Sequence, residues 1–103
     1  MVSRSLRKVI KESLMLIPYE QIILFGSQAR GDSTKQSDFD LLIILKDVAS
    51  MKEKICLSTR LRKYLASKMI DADVLVKDGE DINYLKYKPG SVVRNALLEG
   101  ISL

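Results

Sequence analysis

Three short apolar runs along the chain predict β-strands. They occupy residues 22–25, 41–45 and 74–76 and are rich in Ile, Leu and Val. Runs of this length are typical of strands that are covered on both faces, because such strands lose the usual alternation of polar and apolar residues. The pattern therefore predicts a small sheet with helices on its faces.

Two longer segments repeat apolar residues at helical spacing. The first ends at Pro18, and its apolar residues are Leu6, Val9, Ile10, Leu14 and Ile17. The second spans residues 51–68, and we expect Met51, Ile55, Leu61 and Leu65 to pack against the sheet. Cys56 lies in this second helix, where a small residue is expected to be buried.

The last quarter of the chain predicts shorter elements. Residues 81–88 favour a short helix or lid, in which Tyr84 and Tyr87 are expected to be partly buried. A helix from Ser91 to Glu99 follows, with Ser91 as its N-cap and Gly100 at its end. Residues 101–103 are expected to form an edge strand.

Polar residues adjoin the first two strands at positions suited to phosphate and metal. Gly26 ends the first strand by permitting dihedrals that other residues avoid, and Ser27 follows where a helix could begin. The free N–H groups of a first helical turn bind anions, although an ordinary turn with a capping serine is the simpler interpretation of these two residues alone. Asp38 and Asp40 lie two residues apart at the start of the second strand, so both carboxylates point to one face and could hold Mg²⁺.

A second acidic pair, Asp71 and Asp73, precedes the third strand. Asp73 adjoins the apolar run and is expected to be the better positioned, whereas Asp71 is expected to be a solvated turn residue. The glycine and the acids can meet only if the first two strands are antiparallel and the second and third are parallel. A parallel pair requires a crossover, and residues 51–68 supply a helix of suitable length.

These residues resemble the minimal nucleotidyltransferase (MNT) proteins of the DNA polymerase β-like nucleotidyltransferase superfamily. The family pattern is Gly-Ser, ten residues, then Asp-x-Asp, and residues 26–40 match its spacing. Residues 29–31, Ser37, residues 73–76 and residues 89–100 also resemble family segments. At 103 residues the chain is expected to be one domain, residues 1–103. The resemblance implies an α/β (α+β) fold for it, in which a small mixed β-sheet is packed with helices as in the polymerase β palm.

The resemblance also implies roles for individual residues. Gly26 and Ser27 would hold the nucleotide phosphates, and Arg30 would add positive charge there unless it is a solvated helix residue. Asp38, Asp40 and Asp73 would be the metal ligands and catalytic residues, and Asp73 would also help to deprotonate the acceptor hydroxyl. With two Mg²⁺ ions, one would activate the attacking oxygen and the other would stabilise the leaving pyrophosphate.

Composition narrows the chemistry further. The chain of 103 residues contains no histidine and a single cysteine, which excludes a Ser-His-Asp triad, a histidine-based zinc site and an internal disulfide. The formal net charge of +4 comes from basic residues interleaved with acids, so a solvated surface explains it better than a nucleic-acid interface. We see no membrane span or signal peptide and expect a cytoplasmic protein.

Several functions remain compatible with the sequence. The leading interpretation is transfer of AMP from Mg·ATP to a hydroxyl of a partner protein. The resemblance suggests an MNT antitoxin that adenylylates a HEPN-domain toxin, which implies a hetero-oligomer because the chain has little room for an acceptor domain. The alternatives are a binding module that neutralises its partner by covering it, transfer to a small molecule, and nucleic-acid tailing.

Overall fold

The computed structural model describes residues 4–15, 17–26 and 39–103. In these residues the elements, in chain order, are α1 (Arg4–Ser13), β1 (Tyr19–Phe25), β2 (Phe39–Leu45), α2 (Met51–Ser67), β3 (Ala72–Lys77), α3 (Gly79–Leu85), α4 (Val92–Glu99) and β4 (Ile101–Ser102). The strands form one sheet in the order β3-β2-β1-β4. The predicted mixed sheet packed with helices is confirmed.

Strand directions also follow the prediction. β1 is antiparallel to β2 and to β4, whereas β2 and β3 are parallel. The chain returns from the end of β2 to the start of β3 through α2, as a parallel pair requires. The starts of β2 and β3 therefore lie side by side, next to the end of β1.

The sheet has an apolar core on each face. One core lies under α1 and α2, and its buried residues are Leu6, Ile10, Leu14, Ile22, Leu24, Leu41, Ile43, Leu45, Leu61, Leu65, Val74 and Val76. The smaller core consists of Ile23, Leu42 and Ile44 from the sheet with Val93 and Ala96 of α4. Because both faces are covered, β1 and β2 are apolar along most of their length.

Polar caps and close contacts fix the C-terminal elements. The Ser91 hydroxyl accepts a hydrogen bond from Arg94 N at 2.9 Å and donates one to the Leu85 carbonyl at 3.0 Å. Ser91 is thus the N-cap of α4, as predicted. Gly100 ends that helix so close to β1 that a Cβ would lie 3.1 Å from the Leu24 carbonyl and closer still to Ile23 Cγ2. The glycine therefore lets β4 form the predicted edge strand.

Burial in α2 differs from the prediction. Leu61 and Leu65 are buried, but Met51, Ile55 and Cys56 are exposed. Ile55 lies six residues before Leu61, which places it about 120° away around the helix and off the face that packs. The expectation that Cys56 is a small buried residue is therefore wrong.

The burial predicted for the two tyrosines of the C-terminal region is also wrong. Tyr84 is 74% exposed and Tyr87 is 78% exposed. The cause is that α3 buries none of its residues completely, and Tyr87 follows it in a turn.

Among the described residues, no helix is both long enough and apolar enough to cross a membrane.

Candidate active site

Strand register brings two of the predicted acids together. Asp40 is paired with Phe25 of antiparallel β1 and with Asp73 of parallel β3. Paired residues on neighbouring strands project from the same face of a sheet, at a strand spacing of about 4.8 Å. Asp40 and Asp73 therefore stand next to each other where β2 and β3 begin.

Gly26 adjoins this pair at the end of β1. Its φ of 76° lies in the left-handed region that residues with a Cβ rarely adopt. A Cβ at this position would lie 3.2 Å from Asp40 Cγ and would overlap the Asp40 carboxylate oxygen Oδ2. The glycine is thus required twice, for the backbone turn and for the space that the carboxylate occupies.

Backbone contacts hold the two acid-bearing strands in register. Phe39 N donates a hydrogen bond to the Asp71 carbonyl at 3.0 Å, directly before the Asp40 and Asp73 pair. Two residues further along each strand, on the same face, lie Leu42 and Leu75. The acids are therefore fixed at the end of an apolar layer.

The electrostatics of the pair suit a cation. Like charges opposite each other on neighbouring strands destabilise a sheet, so a positive ion between Asp40 and Asp73 would remove a repulsion that the fold creates. Carboxylate oxygens are hard ligands of the kind that Mg²⁺ prefers. The donor set that the fold assembles fits the predicted metal.

The other predicted site residues have different outcomes. Ser27, Arg30 and Asp38 lie outside the described residues. Asp71 is exposed and precedes β3, as expected for a turn residue. Within residues 4–15, 17–26 and 39–103, no group of three carboxylates or thiols is placed to hold a metal ion.

A buried acid that the sequence analysis did not single out lies at the opposite end of β3. Asp78 is 1% exposed, and its Oδ2 accepts hydrogen bonds from Ala49 N at 3.1 Å and from Lys54 Nζ at 2.9 Å. Its Oδ1 accepts from Asp81 N at 3.0 Å, while the Asp81 carboxylate accepts from Asp78 N in a reciprocal capping box. The network joins α2, α3 and the loop after β2, which is a structural role.

The same contacts shift the pKa values of this network. The hydrogen bond from Asp81 N, followed by those from Lys54 and Ala49, holds the pKa of Asp78 well below its usual 3.8. Hydrogen bonds to Asp81 and Asp78 raise the pKa of Lys54 above 10.5. The ion pair is thus charged across the whole neutral range.

Known proteins resemble this chain in sequence and in fold. Residues 8–103 match the family described as polymerase beta, nucleotidyltransferase. A Methanocaldococcus jannaschii protein, provisionally named a protein adenylyltransferase, is 39% identical over 51 residues. That match covers 50% of this chain and 46% of the relative, so it spans about half of each.

Two solved structures share the fold at lower identity. A toxin-antitoxin complex with AMP-PNP has a TM-score of 0.61 and 21% identity, covering 92% of this chain and 69% of that one. A tri-AMPylated Shewanella oneidensis HEPN toxin in complex with MNT antitoxin has a TM-score of 0.50 and 18% identity, covering 95% and 65%. The match over nearly the whole sequence, together with the shared fold, shows that the chain belongs to the polymerase beta nucleotidyltransferase family.

Proposed function

We propose that the chain is a Mg²⁺-dependent nucleotidyltransferase that transfers AMP from ATP to a hydroxyl of a partner protein. The observation that carries the proposal is the pairing of Asp40 with Asp73 beside the turn at Gly26, where the absence of a Cβ leaves room for the Asp40 carboxylate. A binding module would gain nothing from two adjacent like charges. A phosphoryl-transfer site needs such charges next to a space that a triphosphate can enter.

The chain's own residues divide the reaction between them. Gly26, Ser27 and Arg30 bind the triphosphate, and Asp38, Asp40 and Asp73 hold the metal. Mg²⁺ bound there supplies charge neutralisation for the phosphates. The Asp73 carboxylate takes the proton of the acceptor hydroxyl as the oxygen bonds to the α-phosphorus, and the bond to the β-phosphate breaks to release pyrophosphate.

The partner that the proposal names is a HEPN-family toxin. Its support is the family membership of the chain and the likeness of its fold to toxin-antitoxin complexes, one with AMP-PNP and one with an AMPylated HEPN toxin. In this proposal the chain is the antitoxin and forms a hetero-oligomer with the toxin. Because the proposed reaction consumes ATP, we expect it to take place in the cytoplasm.

Position-specific labelling of ATP tests the reaction. The chain is incubated with Mg²⁺, a HEPN-family protein from the same organism, and ATP labelled at either the α- or the γ-phosphate. We expect the HEPN protein to acquire the α-label and not the γ-label, since AMP transfer retains only the α-phosphate. Transfer of the γ-label would identify a kinase, and a stable complex without either label would identify the binding module.

A matched pair of variants connects the label to the site. Asp40→Asn is expected to abolish labelling because it removes a charge next to Asp73, while Asp47→Asn at the other end of β2 is expected to leave it unchanged. Equal labelling by both variants would contradict the proposed site.

A further inference from the structure

Asp73 projects from the sheet face that α4 covers. It lies two residues before Leu75, which packs with Leu42 and Val93 in the smaller core, and alternate residues of a strand share a face. The cleft between α2 and the start of β3 opens on the other face, away from the Asp73 carboxylate. A ligand that meets this carboxylate therefore lies on the α4 side of the sheet.

The strand order sets the direction from which an acceptor arrives. Gly26, Asp40 and Asp73 lie in a row across β1, β2 and β3, and β3 is an edge of the sheet. In the proposed reaction the phosphates occupy the Gly26 end of this row, so the acceptor hydroxyl enters from the β3 side. The residues that flank the acceptor then lie along β3.

That part of the face contains an open pocket of about 370 Å³, a volume typical of ligand sites. Two lysines line it, Lys77 of β3 and Lys88 of the turn before α4. Most of the remaining wall is apolar and consists of Leu75, Leu85, Pro89, Val92 and Val93. The pocket therefore begins at the first same-face position after Asp73.

Hydrogen bonds fix the wall opposite β3. Lys88 N donates to the Leu85 carbonyl at 3.1 Å, and Ser91 N donates to the Lys88 carbonyl at 3.1 Å. The Ser91 hydroxyl adds its 3.0 Å bond to the Leu85 carbonyl. A pocket with fixed walls can bind a ligand without first ordering them.

The pocket exposes apolar surface at the margin of the smaller core. Leu75 and Leu85 are only half-buried, and Val92, the first residue of α4, is 54% exposed. An apolar side chain placed against these residues would remove their surface from water. The pocket thus favours an aliphatic or aromatic side chain as its occupant.

The two lysines add a preference for negative charge. Neither Lys77 nor Lys88 forms an ion pair with any of the described residues, while Lys88 Nζ lies 5.5 Å from the centre of the Tyr84 ring. A carboxylate next to the apolar side chain would complement these charges. No aromatic residue lines the pocket, so a nucleic-acid base would have no ring to stack on.

Distances along β3 convert these features into a sequence pattern. Leu75 and Lys77 follow Asp73 by two and four residues on the same face, which is about 7 Å and about 13 Å along the strand. An extended polypeptide beside β3 has the same rise per residue. With its acceptor residue at Asp73, it places the residue two positions away at Leu75 and the residue four positions away at Lys77.

We propose that this pocket anchors the acceptor polypeptide by an apolar residue two positions from the acceptor hydroxyl, and that Lys77 selects an acidic residue four positions from it. The inference rests on the proposed function, since it assigns the pocket to the acceptor of the transfer reaction. It adds a sequence preference and two positioning residues outside the nucleotide site, Val92 and Lys77.

Nuclear magnetic resonance tests the pocket independently of transfer. The isotope-labelled full chain in Mg²⁺ is titrated with Glu-Gln-Leu-Gln-Tyr-Gln-Leu-Gln-Glu, which presents the pattern in both chain directions. We expect amide shifts at Leu75, Ser91 and Val93. A peptide with Ala in place of both Leu should bind about tenfold more weakly, and one with Gln in place of both Glu about threefold more weakly.

Matched variants connect the binding to individual residues. Val92→Gln removes an apolar wall and should weaken binding about fivefold, whereas Leu98→Gln, at a 69% exposed position of the same helix outside the pocket, should not. Lys77→Gln should abolish the preference for Glu over Gln in the peptide, and the exposed Lys63→Gln of α2 should keep it. Val92→Ala repeats the test if Val92→Gln unfolds the chain.

Each remaining outcome has a defined meaning. Shifts confined to α2 around Arg62 and Lys63, no measurable shift, or the same loss in Val92→Gln and Leu98→Gln would overturn the pocket. Equal binding of the three peptides would overturn the sequence preference. An octathymidylate that shifts the same amides and binds more tightly than the first peptide would overturn the proposal in favour of nucleic acid.

The transfer reaction supplies the second readout. With the HEPN protein as acceptor, Val92→Gln should raise KM for the acceptor while kcat changes little, because the reacting groups are intact. An unchanged KM beside normal transfer would overturn only the acceptor pocket. Absence of transfer by the unmodified chain, with the peptide preference intact, would overturn only the proposed function.

Discussion

At the scale of single residues, the geometry of the site depends on the room that each side chain leaves as much as on its charge. Asp40 can occupy its position because Gly26 has no Cβ, and it faces Asp73 because the two are register partners. These three residues could be identified from the sequence, because a glycine at a strand end and acids at strand starts are local patterns. It could not show the contact between Gly26 and the Asp40 carboxylate, which depends on how two strands pair.

Gly26→Ala tests that contact. Alanine at φ 76° costs about 1–2 kcal/mol in backbone strain, and its Cβ would also displace the Asp40 carboxylate. We therefore expect a modest drop in the free energy of unfolding, measured by urea denaturation, but a much larger loss of transfer activity. Gly79→Ala is the control, since nothing lies within 4 Å of its new Cβ. Equal activity in the two variants would contradict the account of Gly26.

At the scale of elements, hydrophobic spacing predicted where helices and strands lie better than how each helix faces the core. Of the four residues predicted to form the α2 stripe, only Leu61 and Leu65 are buried. The predicted start of α3 at residue 81 lies two residues after its observed start at Gly79, because the prediction does not identify Asp78 as the N-cap, although residues 78 and 81 have capping-box spacing. The partner Lys54 lies 24 positions earlier, so local spacing could not reveal the ion pair.

The Asp78 network predicts a large effect from a small substitution. Asp78→Asn keeps the shape of the side chain, but an amide cannot accept from Asp81 N, Ala49 N and Lys54 Nζ together. We expect a loss of about 2–3 kcal/mol in the free energy of unfolding, measured by urea denaturation. The exposed Asp47→Asn is the matched control and should change little. A loss below about 0.5 kcal/mol would show that the network does not stabilise the fold.

The depressed pKa of Asp78 predicts a pH dependence with a definite sign. The unfolded chain binds this proton near pH 3.8 and the folded chain only at lower pH, so the stabilisation is complete above about pH 5 and is lost as the pH falls below 4. The stability difference between the unmodified chain and Asp78→Asn should therefore shrink between about pH 5 and pH 2. A difference that is constant over this range would contradict the assignment.

Gly100 provides a second test at this scale. A Cβ there would overlap Ile23 Cγ2 and the Ala96 carbonyl, so Gly100→Ala must push α4 or β4 away from β1. Overpacking of this kind costs about 1–3 kcal/mol. Thermal unfolding should show a lowered midpoint, and hydrogen exchange should speed up at Leu103 N, which donates to the Ile22 carbonyl. Unchanged exchange at that amide would contradict the predicted displacement.

At the scale of the whole molecule, the residues of the apolar cores and the candidate catalytic acids lie in different parts of the sheet. α1 and α2 cover one face of the sheet and α4 covers the other, while the candidate acids occupy the end where β2 and β3 start. The topology could be predicted from the sequence because the acids and glycine can meet only with one antiparallel and one parallel pair. The cleft between α2 and the start of β3, where Arg62, Lys63 and Ala72 lie, could not, since it forms only when the helix packs against the strand.

The most direct test of the central claim is the intact mass of the HEPN protein after incubation with Mg²⁺, ATP and either the unmodified chain, Asp73→Asn or Asp47→Asn. The account predicts a mass gain of one or more AMP units with the unmodified chain and with Asp47→Asn, and none with Asp73→Asn. Gain of AMP with Asp73→Asn at the unmodified rate would contradict the assignment of the paired carboxylates as the catalytic site.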